Sequence, residues 1–227
     1  MSLVDRARPV PRYVRDAVVL GLAISVFGMA FGVLATTSGL SFVQACACSL
    51  LIFTGASQFA AVGVLASGGT ALAAAGPAVL LAARNALYGI AVAPLLPKSG
   101  WRRLLVAHLV LDESTALASA QADPRDRRGA FLAGGLSVFV FWNLGTAIGA
   151  AGGAAIGDPA ALGLDAAFPA GFVALVVPLL RSPAARLAAA VGVGLAVLAV
   201  PLTEPGVPIL VAVLAVVPAA LLARRRA

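Results

Sequence analysis

Between Ala17 and Ala83 the chain carries no Asp, Glu, Lys, Arg or His, which leaves room for about three membrane-spanning helices of roughly 20 residues each. Similar apolar runs continue to the C-terminus. Gly, Pro and charged residues divide them into eight hydrophobic segments, near 16–37, 41–66, 71–96, 103–121, 129–152, 166–181, 185–202 and 206–223. Runs of this length do not fit the ten-residue alternation of a membrane β-barrel. A helix satisfies its own backbone hydrogen bonds in hydrocarbon, so the expected fold is an all-α polytopic membrane protein, a single integral membrane domain over residues 1–227. Polar residues inside the second and fourth segments predict that at least one of the eight is broken or re-entrant.

Composition sharpens this reading. The chain is 61% hydrophobic and 11% charged, where a soluble domain carries about 25% charged residues; its solvent is the lipid bilayer. The first apolar run is too long for a cleaved signal peptide and is expected to be a permanent span. A net charge of +7 would suggest nucleic-acid binding in a soluble protein, but the basic residues cluster at segment ends as orientation signals, and no nucleic-acid partner is expected. Cys46 and Cys48 lie in an apolar run without the further ligands a zinc site needs, so no metal is expected. The absence of a Gly-x-x-x-x-Gly-Lys-Ser/Thr loop removes direct ATP use, and no cofactor is implied.

Arg6, Arg8, Arg12 and Arg15 precede the first segment; Arg125, Arg127 and Arg128 precede the fifth; Arg181 and Arg186 flank the sixth-to-seventh turn; Arg224, Arg225 and Arg226 close the chain. Other turns carry acids: Asp158 and Asp165, then Glu204. The positive-inside rule predicts both termini in the cytoplasm. Eight crossings leave Lys98, Arg102 and Arg103 on the wrong side; re-entrant second and fourth segments, with six crossings, remove that violation. Both topologies stand at this stage. A weak internal repeat of halves 16–121 and 129–223 is visible, in which Gly21-Leu22-Ala23-Ile24-Ser25-Val26-Phe27 resembles Gly135-Leu136-Ser137-Val138-Phe139 and Gly39-Leu40 resembles Gly163-Leu164, with Phe168 nearby and a second-half interruption at Pro178 and Arg181–Pro183. Transporters are often built from such halves, with the site between them.

Polar groups inside the apolar segments carry the candidate chemistry. A charge at the centre of a bilayer costs about 2.5–3.5 kcal/mol on insertion scales, so it is kept where it faces a cavity, a partner charge or a transport path. Arg84 sits in the middle of the third segment, and Asp112 and Glu113 near the middle of the fourth; an Arg84–Asp112 or Arg84–Glu113 pair is expected, and the remaining carboxylate would carry a proton. In Phe53-Thr54-Gly55-Ala56-Ser57-Gln58-Phe59, Gly55, Ser57 and Gln58 predict a helix that stops and restarts with Ser57 as its cap; the freed N–H groups would hold a carboxylate. Arg84 and Tyr88 share a helix face, as do Asn85 and Gly89. His108, the chain's one histidine, shares a face with Asp112 and Thr115 if the fourth segment is one helix. Trp142 and Asn143 are candidates to line the cavity, while Gly145, Gly149 and Gly153 form a packing stripe.

Taken in order, Gly55-Ala56-Ser57-Gln58-Phe59, Arg84 with Leu87-Tyr88-Gly89 and Ala93-Pro94, Asp112-Glu113, Trp142 with Gly145, and Gly163-Leu164 followed by the Phe172–Pro178 stretch resemble the azaleucine-resistance, AzlC-type family of branched-chain amino acid permeases. Asn85 departs from the pattern, in which the arginine is more often followed by histidine. The resemblance implies the large subunit of an exporter of leucine, isoleucine and valine in a bacterial inner membrane, driven by the proton gradient and working with a small AzlD-type membrane subunit; methionine is a further candidate cargo.

The leading functional reading is therefore a secondary transporter and not an enzyme. The Gly55–Gln58 break or Arg84 would take the substrate carboxylate, Asp112 or Glu113 the ammonium or the coupling proton, and Phe53, Phe59 and Phe139 would surround an aliphatic side chain. Two other classes stay open. A non-transporting membrane scaffold would need Arg84 and Asp112 for folding alone. An intramembrane serine hydrolase would pair Ser57 with His108, although Gln58 and Leu109-Val110-Leu111 stand where such enzymes carry glycines.

Overall fold

The computed structural model describes residues 10–155 and 180–224, together with 173, 176 and 177. Every described regular element is helical. In chain order these are α1 (Arg12–Thr37), α2 (Phe42–Leu51), α3 (Ala56–Ala66), α4 (Ala71–Ala82), α5 (Arg84–Val92), α6 (Trp101–Ala107), α7 (Asp112–Ser119), α8 (Pro124–Ala155), α9 (Pro183–Ala199), α10 (Val207–Ala212) and α11 (Val216–Arg224). Among the described residues, five helical stretches are long and apolar enough to cross a membrane: Arg12–Thr37, Ala71–Leu95, Pro124–Gly153, Pro183–Leu202 and Val207–Arg224. The segment expected at 166–181 lies almost wholly outside the described residues, as do Arg6, Arg8, Asp158, Gly163, Leu164, Asp165, Phe168, Phe172, Pro178, Arg225 and Arg226. Of the repeat's second half, the Gly163-Leu164 match falls there, whereas residues 135–139 lie on α8.

The scaffold is the α1–α8 pair. Gly21 lies against Ser137, Gly28 against Trp142, Gly32 against Thr146 and Gly153 against Val33 and Thr36, so contacts advance in the same direction along both helices and the pair is parallel. A methyl group on Gly28, Gly32, Gly145 or Gly149 would run into the backbone carbonyls of Trp142, Thr146, Ser25 or Met29 respectively. The expected stripe on α8 thus has a counterpart stripe on α1. Such close approach maximises dispersion contact between helices that gain nothing from excluding lipid.

Segments 41–66 and 103–121, expected to be continuous or interrupted, are each two short helices. Ser41 and Gln44 start α2 with a reciprocal cap, and α2 ends at Leu51. Along α8 the chain then reverses: Ser49 bonds Thr146, Phe53 packs edge-on against Phe139, Gly55 approaches the Trp142 ring, and Phe59 packs on Trp142 and Phe31. A short turn returns α3 into α4, where the Glu204–Gly206 turn covers Val64, Ala73 and Pro77.

The continuous fourth segment, with His108, Asp112 and Thr115 on one face, is corrected by the structure. α6 stops at Ala107, Leu111 is extended with φ −134° and ψ 169°, and α7 starts afresh at Asp112. The restart has a local cause: Ser114 Oγ accepts from the Leu111 N–H, and Asp112 and Glu113 occupy the first turn, where the helix dipole favours negative charge. Resetting the chain between 108 and 112 breaks the i, i+4, i+7 relation. From that tip α7 runs back beside α8, with Ser114 and Leu117 against Gly134, to the Ala120–Asp123 turn at the start of α8.

α4 and α5 form one run of 25 residues when the 3-10 turn Ala93–Leu95 is included, about 37 Å long at 1.5 Å per residue. It begins beside the Glu204–Gly206 turn and passes the α7 tip at Arg84. Its far end, with the Pro97–Gly100 bend, therefore lies at the end of the bundle that holds the N-termini of α1 and α8. Lys98, Arg102 and Arg103 join Arg12, Arg15, Arg125, Arg127 and Arg128 there, and the charge conflict of an eight-crossing path disappears.

Candidate functional site

Two helix interruptions meet halfway along α8, and the polar residues gather on them. At the first, Gly55 has φ +61°, a left-handed conformation that glycine adopts without the penalty other residues meet. It is the N-cap of α3, and Gln58 Oε1 accepts from its N–H at 3.2 Å. The cap expected of Ser57 thus falls to Gln58, because α3 starts at Ala56 and Ser57 already lies inside its first turn. Ser57 Oγ and Gln58 Nε2 are fully buried without a protein partner. In the same first turn the N–H groups of Ala56 and Ser57 have no helical acceptor. Four donors therefore surround the start of α3.

At the second interruption, Arg84 Nη1 lies 3.3 Å from Asp112 Oδ2. Of the two expected pairs, this is the one formed, through a single oxygen, with both side chains about 40% exposed (39% and 41%). Glu113, the next residue round α7, makes no ion pair among the described residues. Arg84 Nε and Asn85 Oδ1 are buried with no partner, as is Thr115 Oγ1 one turn along α7. Tyr88 is half-buried against the core.

α8 supplies the wall between them. Trp142 is 5% exposed, and its Nε1 has no acceptor. Asn143 donates from Nδ2 to the Phe139 carbonyl at 2.7 Å, which leaves its Oδ1 buried and unpartnered. Buried polar atoms in proteins are nearly always satisfied; here several exceptions lie at the two helix interruptions and on the α8 wall, and they leave hydrogen-bonding capacity unspent. Thr54 and Ser137 belong to the same set and were not singled out in the sequence. A hydroxyl beside a glycine break was the available signal for Thr54; Ser137 had none, since serines on membrane helices usually bond their own helix.

Other expectations resolve differently. Phe53, Phe59 and Phe139, proposed to surround a ligand, pack edge-on with one another and with their neighbours: Phe53–Phe139 at 5.0 Å and Phe31–Phe59 at 5.8 Å. They are filled core behind the site. His108 spends Nε2 on the Leu50 carbonyl at 2.8 Å, and Ser57 Oγ bonds nothing, so the serine–histidine dyad is not assembled.

Comparison with known proteins fits this architecture. The family described as AzlC protein matches residues 19–156, more than half of the chain. Two curated relatives, from two strains of Helicobacter pylori and each described as an uncharacterized membrane protein, are 30% identical over 101 residues, covering 44% of this chain and 44% of their own. The chain thus spans under half the length of the curated relatives it matches. No solved structure matches.

Proposed function

The chain belongs to the AzlC family, and from that premise we propose that it is the large subunit of a secondary transporter that exports branched-chain amino acids. It would be coupled to the proton gradient and work beside a small AzlD-type membrane subunit. The observation that carries this reading is the set of unpartnered buried donors and acceptors at two helix interruptions in mid-bundle. A zwitterionic amino acid needs both kinds of group at once. The donors at the start of α3 (the Ala56 and Ser57 N–H groups, Ser57 Oγ and Gln58 Nε2) suit a carboxylate, aided by the positive end of the helix dipole. The oxygens of Asn85, Thr115 and Asn143, with Glu113, suit an ammonium group or the coupling proton.

In this arrangement Arg84 holds Asp112, and the substrate carboxylate falls to α3. The pair occupies Asp112 and leaves Glu113, which makes no ion pair among the described residues, to exchange the proton. The gathering of basic residues at one end of the bundle supports a multi-pass protein of the bacterial inner membrane with that end, and both termini, in the cytoplasm. Preference among leucine, isoleucine, valine and methionine would be shallow, because a pocket distinguishes one methylene by about 1–3 kcal/mol.

The test is efflux of preloaded leucine, isoleucine, valine and methionine from vesicles, with and without the small subunit and with and without a proton gradient. Gradient-dependent efflux that needs both subunits is expected. Absence of efflux of all four from folded, co-reconstituted protein would overturn the reading.

A further inference from the structure

The two interruptions are held together by one side chain that the site chemistry above does not use. His108 ends α6, and its Nε2 meets the Leu50 carbonyl at 2.8 Å. That carbonyl is among the last four of α2, which have no helical donor of their own. A carbonyl can only accept, so Nε2 carries the proton; in the neutral ring Nδ1 is bare. The imidazole also lies between two rings, 5.7 Å from Phe53 at the first break and 5.9 Å from Phe139 on α8. Four residues on, the same turn presents Asp112 to Arg84.

We propose that His108 is a clasp: it caps the C-terminus of α2 and fastens the tip of the α2–α3 hairpin to the tip of the α6–α7 hairpin for as long as its hydrogen bond is made. His108 is then a positioning residue and neither a ligand-binding group nor a proton carrier. The consequence for transport, that the clasp opens and closes once per cycle, rests on the reading above. The clasp itself does not, and it is tested without substrate.

Because the chain has one histidine, nitrogen-15 histidine labelling in lipid nanodiscs reports this residue alone. The expected spectrum shows a protonated Nε2, a bare Nδ1, and an Nε2 proton that resists exchange with solvent deuterium. A protonated Nδ1 with a bare Nε2, or a freely exchanging ring, would overturn the proposal on the unmodified protein.

The second arm removes Cys46 and Cys48 and places a cysteine at Val110, which is buried at the α6–α7 tip (7% exposed). Its labelling by a membrane-impermeant thiol reagent should rise about tenfold in His108→Phe, which keeps a ring but loses the donor, as expected for the loss of one net hydrogen bond that gates local opening. His108→Gln, whose amide nitrogen reaches the position of Nε2, should restore protection. Slow labelling in His108→Phe, or labelling of His108→Gln as fast as His108→Phe, would overturn the clasp. Failure of leucine efflux with these results intact would leave the clasp standing and sink only the transport reading.

Discussion

Glycine does opposite work in two regions that share one membrane. Along α1 and α8, Gly28, Gly32, Gly145 and Gly149 sit inside unbroken helices and let two backbones touch. At the α2–α3 break, Gly55 takes a φ of +61° and ends one helix so that another can begin. The first region spends its small residues on packing and leaves few polar atoms over. The second gives up helix hydrogen bonds, and its freed N–H groups lie with the unpartnered Ser57 Oγ and Gln58 Nε2. A closely packed pair thus stands beside an interrupted one: a wall of backbone contacts and a surface with unspent hydrogen-bonding capacity.

Substitutions in both regions test that contrast, and the largest effect belongs to the wall. Gly149→Leu should abolish folded protein, because the side chain would have to displace the Met29 backbone; ordinary overpacking already costs about 1–3 kcal/mol. Size-exclusion profile and thermal unfolding in detergent measure it, and a folded variant with an unchanged midpoint would refute backbone contact between α1 and α8.

Next come the charges. Arg84→Ala leaves Asp112 alone in mid-bundle, where an unpaired ion costs about 2.5–3.5 kcal/mol on insertion scales, and both stability and leucine efflux should fall sharply. The swap Arg84→Asp with Asp112→Arg should recover most of the stability. Full recovery of efflux in the swap would show that the pair serves folding alone, which is the scaffold reading of these residues.

Gly55→Ala is expected to lower stability by about 1–2 kcal/mol, the penalty of a left-handed conformation with a Cβ. Gly152→Ala, on α8 with open space around it, should raise the unfolding midpoint slightly by stiffening the unfolded chain. Equal shifts in the two variants would remove the distinction between a glycine that breaks a helix and one that merely lies within it. The smallest effect should come from Ser49→Ala, which deletes the 3.1 Å bond to Thr146; such interhelical bonds average about 0.6 kcal/mol in membranes, visible as a small midpoint shift with efflux unchanged.

Much of this was legible in the residues. The charge-free run from Ala17 to Ala83 fixes a helical membrane protein, and the isolated Arg84 and Asp112 announce each other because each is costly alone. The Gly145–Gly149–Gly153 stripe was legible because a packing motif is periodic; its partner stripe on α1 was not, since the glycines there are spaced less evenly. The fourth segment misled for a physical reason. Its apolar periodicity runs through Leu109-Val110-Leu111, whereas the break is made by a hydrogen bond from Leu111 N–H to Ser114 Oγ and by the charges of the first α7 turn. Those are local effects that a periodicity count does not weigh. Ser57 misled in a similar way: Gly55 starts the helix two residues earlier, which leaves Ser57 inside the first turn of α3.

What the sequence determined by itself is solvent and cost: bilayer, helices, and which side chains are too expensive to be there without purpose. Lipid leaves a chain few ways to satisfy its backbone, so composition alone decides the class. What only the tertiary structure decided is who meets whom. The parallel packing of α1 on α8, the reversal at Phe53, the Arg84–Asp112 pair and the reach of His108 to Leu50 all join residues far apart in the chain. Their partners are selected by packing geometry in three dimensions, a quantity that one-dimensional spacing does not contain.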